Sequence, residues 1–372
     1  MKLNRRISLE ACWLCAVIVA SCAPAVLPRN FARSPNDPLP RRQSTPEVYS
    51  DANVTFGTVA LPDGTLLRTI RTVPRGLSAG KLAGIFIVGW LSCDSMESPS
   101  DSDGFAALIR RLAQNSGTVT FRVDKPGVGD SQGNCGTTDF ETELAGYKAA
   151  FRLFSRDPNV DSKKLFIVGL SNGGGIAPLV AQDIPLRGIV SISGWGVTWY
   201  EHMLENERTR LSLSHASPGE ISDAMRKFSV FYDEYLNQEK TPGDVLRAHP
   251  SFRQIWHDEE SGQYGRPAKF YQDLQRLNLG EAWSRLDAPV LVIHGSFDWV
   301  MSRRDALAIT DAVNAKNPGA AIFHEVPTSH DLRHYDDMDS SFKRKPANFE
   351  EAVAVLAISF VHEQSAGPDL LP

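Results

Sequence analysis

Six short runs set the strongest limit on how this chain can fold: AGIFIVGW (83–90), TVTFRVD (118–124), KLFIVG (164–169), LRGIVSIS (186–193), PVLVIHG (289–295) and AIFHEV (321–326). A run that is apolar on both pleat faces has no side suited to water, so helices must cover it above and below. Helical periods supply that cover. In GFAALIRRLAQN (104–115), Phe105, Leu108, Ile109 and Leu112 share a face, as do Phe140, Leu144, Tyr147, Phe151 and Phe154 further on. Thr138 with Glu141 reads as a capping box for that second helix, and Asn348 with Glu351 caps the closing run FEEAVAVLAISFVHEQ. The alternation predicts an α/β fold with a mostly parallel central sheet flanked by helices. Ahead of it, Pro62-Asp63-Gly64 separates two β-rich runs within 54–73 and predicts a hairpin.

From 195 to 287 the strand rhythm stops. Ser217-Pro218-Gly219-Glu220 opens a helix with Ile221, Met225, Phe228, Tyr232, Tyr235 and Leu236 along one side, and Thr241-Pro242-Gly243-Asp244 and KFYQDLQRL mark two more. The expectation is one core, 48–194 with 288–372, interrupted by a helical insertion.

The N-terminus has the pattern of an export signal over 1–21, with Lys2, Arg5 and Arg6 ahead of the apolar ACWLCAVIVA. Ten apolar residues are too few to span a bilayer. Val19-Ala20-Ser21-Cys22 resembles a bacterial lipobox, which makes Cys22 the lipidation candidate and the cell envelope the expected location; the alternative is plain cleavage near Ala23 or Ala25. Membrane contact is then expected only through that lipid anchor. Residues 22–47, proline-rich and poor in large apolar groups, read as an extended tether. Cys12 and Cys15 fall in the signal, which leaves Cys93 and Cys135 as a disulfide candidate pair in an oxidising compartment.

A formal charge of -5 without a lysine- or arginine-rich run excludes nucleic acid as a main partner. Neither HExxH nor a Cys/His cluster occurs, so no metal or cofactor is expected.

Two stretches spell G-x-S-x-G: GLSNG around Ser171 and GDSQG around Ser131. Ser171 lies between an apolar strand and a Gly-rich helix start, the context that exposes a nucleophile on a sharp turn. Ser131 runs into QGNCGTTDF with no helix start and reads as a loop residue. Gly127, Gly129 and Gly133 miss the dinucleotide spacing by one. A serine hydroxyl needs a base and an orienting acid. Past the ends of later strands, Asp298 in LVIHGSFDWV and His330 in FHEVPTSHDL fill those places. His334 is the second choice for the base, His324 is expected to pack within its strand, and His294 to brace the acid loop. The oxyanion donors expected are the backbone amides of Asn172 and Trp90, with Leu91 the alternative to Trp90.

VDKPGVGDSQG, VGLSNGGG, VIHGSFDWV and TSHDL, in that order, resemble the loops of the α/β-hydrolase superfamily, with the insertion at the position of its lid. Val88 stands where many members have histidine. The resemblance implies a Ser-His-Asp triad, an acyl-enzyme intermediate and carboxylic esters as substrates, admitted beneath a lid that includes Trp195, Trp199 and Tyr200. SNGG is also similar to serine peptidases of the same fold. On that reading the substrate is a short peptide, and Glu201 or Glu205 would hold its amine. A non-catalytic envelope binding protein is the third reading. If His330 is the base, activity should fall below a pH of about 6.5.

Overall fold

The computed structural model describes residues 32–33, 37–42, 45–76, 80–181 and 184–367. The expected export signal, with Cys12 and Cys15, and the Cys22 lipidation candidate lie outside the described residues.

The strands are β1 (Ala32–Arg33), β2 (Ala52–Ala60), β3 (Leu66–Pro74), β4 (Leu82–Val88), β5 (Val119–Val123), β6 (Val160–Leu170), β7 (Gly188–Ile192), a small hairpin of β8 (Gly262–Gln263) and β9 (Arg266–Pro267), then β10 (Val290–Gly295) and β11 (Ala321–Val326). Nine of them form one sheet in the order β1-β2-β3-β5-β4-β6-β7-β10-β11. Only the β2–β3 and β3–β5 pairings are antiparallel in it. From β5 to β11 every pairing is parallel. The hairpin turn between β2 and β3 has Gly64 at φ 89°, a conformation open to glycine, and the Gly64 amide donates to Leu61 O.

Helices cover both faces. On one side α2 (Phe140–Phe154) and α3 (Asn172–Ala181) pack Tyr147, Phe151, Phe154 and Ile176 against Phe86, Phe121 and Ile167. On the other, α1 (Gly104–Asn115) and the closing helix meet Ile85, Val168, Val190 and Leu291. The burial on both faces is the physical reason the central strands read as unbroken apolar runs.

Between β7 and β10 come α4 (Trp199–Leu213), α5 (Pro218–Tyr232), α6 (Pro242–Ala248), α7 (Ala268–Gln275) and α8 (Leu279–Ser284). The last third adds α9 (Arg303–Lys316), α10 (Met338–Phe342) and α11 (Glu351–Ala366). The insertion is fastened to the core by polar groups. The Trp283 indole donates to Gly175 O (3.0 Å), the Trp195 indole to Asn172 Oδ1 (3.0 Å), and Arg266 pairs with Glu143 (2.5 Å) with both side chains buried. Among the described residues no helix is long and apolar enough to cross a membrane.

Several expectations need correction. Helix α2 is capped by Asp139, whose carboxylate accepts from Thr142 N (2.8 Å), and α11 by Glu350, which accepts from Ala352 N (3.0 Å). In each case a carboxylate past the expected cap, by one residue at Asp139 and by two at Glu350, lies closer to the first free amides. His324 is exposed, because β11 is the edge strand.

The tether boundary at 47 is also wrong. Residues 37–42 and 45–47 are held on the core through ion pairs. Asp37 meets Arg68 (2.7 Å), and Arg41 bridges Glu97 (2.7 Å) and Asp130 (2.9 Å). Glu47 receives two bonds of 2.8 Å from Arg122 and another from Ser98 N (2.7 Å). A polar, proline-rich composition cannot build a hydrophobic core, yet here it supplies specific counter-ions to charges that the core already buries.

Candidate active site

Ser171 follows the last residue of β6 and precedes the first of α3, at φ 55°. A non-glycine residue in the left-handed region is strained, and small neighbours permit it. A Cβ at Gly173 would lie 2.2 Å from Val88 O, and one at Gly169 2.3 Å from Gly173 O. Ser171 N donates to Ile192 O and Ser171 O accepts from Gly174 N, so the turn is locked on both sides.

Ser171 Oγ lies 2.9 Å from His330 Nε2, and His330 Nδ1 lies 2.9 Å from Asp298 Oδ2. The loop after β10 supplies Asp298, whose Oδ1 accepts from the amides of Val300 and Met301 (2.9 Å each). The loop after β11 supplies His330, which the edge of Phe105 contacts, with ring centroids 5.9 Å apart and planes at 89°. Phe105 in turn stacks on Trp90 (5.1 Å).

Burial pushes the Asp298 carboxyl up, but His330, His294 and the Met301 amide outweigh it and hold the group below the usual carboxylate range. Burial pushes His330 down, and the Asp298 carboxylate, joined by Asp331, more than reverses this, so its pKa stands above 6.5. The pair therefore favours imidazolium beside carboxylate, the state that follows removal of a proton from Ser171.

The loop after β4 was expected to offer an oxyanion donor. Among the described residues the amides of Trp90, Leu91 and Asn172 donate to no protein acceptor. The loop is braced from below by residues the motif reading passed over. The buried Lys125 ammonium donates to Trp90 O and, at 2.6 Å, to Ser92 O; burial pulls its pKa down to about 8. The neighbouring Asp124 accepts from Met96 N (2.6 Å) and Ser95 Oγ (2.9 Å). Cys93 and Cys135 are joined by a disulfide, with Cα atoms 6.0 Å apart. Residues 90–96 are thus tied to the loop after β5 at three points. The Cys93–Cys135 pairing was expected from the sequence; for Asp124 and Lys125 the sequence signal was their place at a strand end within VDKPGVGDSQG.

The remaining candidates are placed elsewhere. Ser131 is fully buried, donating to Asp124 O (3.0 Å) and accepting from Arg68 N (2.8 Å). His334 pairs with Glu350 (2.5 Å) away from Ser171. His294 is buried beside Phe323, near the acid as expected, though neither ring nitrogen bonds the loop. Trp195 and Trp199 are buried against each other, with Trp195 against Gly175 of α3 and Trp199 against Tyr271 of α7, so they pack the base of the insertion. Tyr200 reaches Ser229 O (3.3 Å). Glu201 closes the α4 capping box with Thr198 and pairs with Arg304 (3.0 Å). No cluster of three or more metal-ligating side chains occurs among the described residues.

The parallel sheet, the strand-serine-helix turn and the later acid and histidine loops define a serine hydrolase of the α/β-hydrolase fold. The pattern of the serine aminopeptidase S33 family matches residues 100–332, well over half of the chain and including Ser171, Asp298 and His330. The chain belongs to that family. Among solved structures it is similar to Est1E from Butyrivibrio proteoclasticus with ferulic acid bound, at 16% identity and TM-score 0.52, covering 83% of this chain and 99% of that one. Acetyl xylan esterase 1 from Thermoanaerobacterium is similar at 16% identity and TM-score 0.50, with 89% of each chain covered. An acylaminoacyl peptidase from Pyrococcus horikoshii is similar at 12% identity and TM-score 0.54; the match covers 87% of this chain but only 44% of the peptidase. At these identities the likeness speaks for the fold. No curated protein sequence matches the chain.

Proposed function

We propose that the protein hydrolyses carboxylic esters of small molecules through an acyl-enzyme on Ser171. The observation that carries this reading is the line from Ser171 Oγ through His330 to Asp298, with both links at 2.9 Å. Ser171 Oγ attacks the ester carbonyl as His330 Nε2 takes its proton. The carbonyl oxygen becomes an oxyanion facing the amides of Asn172 and of Trp90 or Leu91. The imidazolium, steadied by Asp298, then gives its proton to the departing alcohol. Water attacks the acyl-serine, again with His330 as base, and releases the acid.

Fluorophosphonate labelling and short p-nitrophenyl ester turnover, both lost in Ser171→Ala, are the expected results. Failure of the wild type to label would point to the non-catalytic binding protein. A peptidase reading has the family match in its favour. Against an amine clamp at the serine, Glu201 is committed to Thr198 and Arg304, and Glu205 lines a recess bordered by neither Ser171 nor His330. Selective turnover of amino-acid anilides over esters would reverse the preference. Export by residues 1–21, with Cys22 lipidated, would place the reaction in the cell envelope.

A further inference from the structure

The Cys93–Cys135 bridge is built unevenly. Cys93 is exposed, at the middle of the loop that carries the Trp90 and Leu91 amides. Cys135 is 5% exposed and opens the single turn Cys135–Thr137, which lies against the β8–β9 hairpin. The insertion reaches this second sulfur directly, because Arg266 Nη1 donates to Cys135 Sγ at 3.0 Å. Arg266 is itself buried, with Nη2 on Glu143 (2.5 Å) and the guanidinium 4.1 Å from the centre of the Phe270 ring. The donor is therefore fixed in place before any charge appears on the sulfur.

A disulfide is opened by a thiolate, at a rate set by which sulfur can be reached and how readily the other departs. Here the two requirements fall on different atoms. Cys93 supplies access, while attack on Cys135 Sγ is closed off by burial and by Arg266. Cys135 supplies the leaving group, since an N–H of a cation already points at the atom that must take the electron pair, and a neighbouring guanidinium favours the thiolate. Exposed bridges of this kind are the labile ones.

The loop that Cys93 belongs to carries the consequence. Lys125 holds the carbonyls of Trp90 and Ser92 on one side of it, and Asp124 holds Ser95 Oγ and Met96 N on the other. Opening the bridge removes the central tie and leaves the outer two, so the oxyanion amides lose definition while the loop stays attached.

We propose that Cys93 is a site of attack by dithiols, and that opening the bridge there slows acyl transfer at Ser171. The second half rests on the ester reading above. The incoming thiolate bonds to Cys93 Sγ, the S–S bond breaks, and its electron pair goes to Cys135 Sγ beside Arg266. The dithiol's second thiolate then attacks the sulfur of its own that is joined to Cys93, closes the dithiol's disulfide and releases Cys93 as a thiolate. The dithiol loses two electrons and two protons, which Cys93 and Cys135 gain.

The test is incubation of the full chain with dithiothreitol at neutral pH without denaturant, then acid quenching and mass mapping of the Cys93 and Cys135 peptides. Ester kinetics are measured alongside, at a temperature where circular dichroism shows the reduced protein folded. Both cysteines should appear as thiols, with kcat about 3- to 10-fold lower and KM within about twofold, less than the roughly 10²–10³ that a whole oxyanion donor is worth. Reoxidation with glutathione disulfide should restore kcat. Cys93→Ser with Cys135→Ser should match the reduced wild type and ignore dithiothreitol. Brief exposure to glutathione, quenched in acid, should place the adduct on Cys93. The proposal is overturned by a bridge that stays closed without denaturant, a reduced protein that does not stay folded, or an unchanged kcat once the bridge is open. A double variant that still responds to the dithiol, or an adduct on Cys135 in place of Cys93, would overturn it equally. If the oxidised protein neither turns over ester nor takes up a fluorophosphonate, the catalytic reading falls, while thiol mapping and adduct position still decide whether Cys93 is the point of attack.

Discussion

At the scale of single residues, the charge balance between Asp298 and His330 sets the working pH range. His330 acts as base only when neutral, and its carboxylate neighbour raises its pKa above 6.5. The fall of kcat/KM on acidification is therefore expected at a pH above 6.5, higher than an unperturbed histidine implies. Asp298→Asn removes the raising charge, so that limb should move to lower pH while kcat drops by roughly 10⁴-fold. A pH-rate profile of the two proteins checks both statements, and a limb unmoved by the substitution would remove His330 from the role of base. Ser171, Asp298 and His330 were legible in the sequence because each sits at a strand end whose local pattern is self-contained. Lys125 was not, because its acceptors are carbonyls of residues 90 and 92, and side-chain types record nothing about where a distant backbone turns.

At the scale of elements, the loop after β4 is held in place by its neighbour after β5. Lys125→Met leaves two carbonyls without their donor and frees the loop that carries the Trp90 and Leu91 amides. Since a whole oxyanion donor is worth about 10²–10³ in kcat, a misplaced one should cost roughly 10- to 100-fold with KM little changed. Lys125→Arg should recover part of the loss. Steady-state kinetics with one ester distinguishes this from general damage, which would change labelling and thermal midpoint as well. The Cys93–Cys135 bridge acts on the same loop and, across a separation of 42 residues, should stabilise the fold by up to about 4 kcal/mol. Cys93→Ser with Cys135→Ser should lower the urea midpoint accordingly. Two elements show the limits of pattern reading at this scale. The caps at Asp139 and Glu350 lie one and two residues past the expected ones because neighbouring side chains can all cap, and only the backbone approach decides which does.

At the scale of the whole molecule, the sheet and its helical cover follow from hydrophobic period alone, whereas the N-terminal arm does not. Arg41 and Glu47 neutralise Glu97, Asp130 and Arg122, whose side chains are at most 2% exposed. A chain that starts at residue 48 leaves Glu97 and Arg122 buried without a counter-ion, while Asp130 keeps Arg68 (3.1 Å); breaking a buried pair from one side costs about 3–5 kcal/mol. Compared with a chain that starts at residue 32, it should unfold at distinctly lower urea; equal midpoints would show that the arm contributes no stability.

The arm also sets an order of events during synthesis. Its last anchor, Asp130, leaves the ribosome roughly 80 residues after Glu47, about 4–16 seconds at ordinary elongation rates. Until then the segment cannot dock, and any factor that must handle the front of the nascent polypeptide has that interval in which to do so.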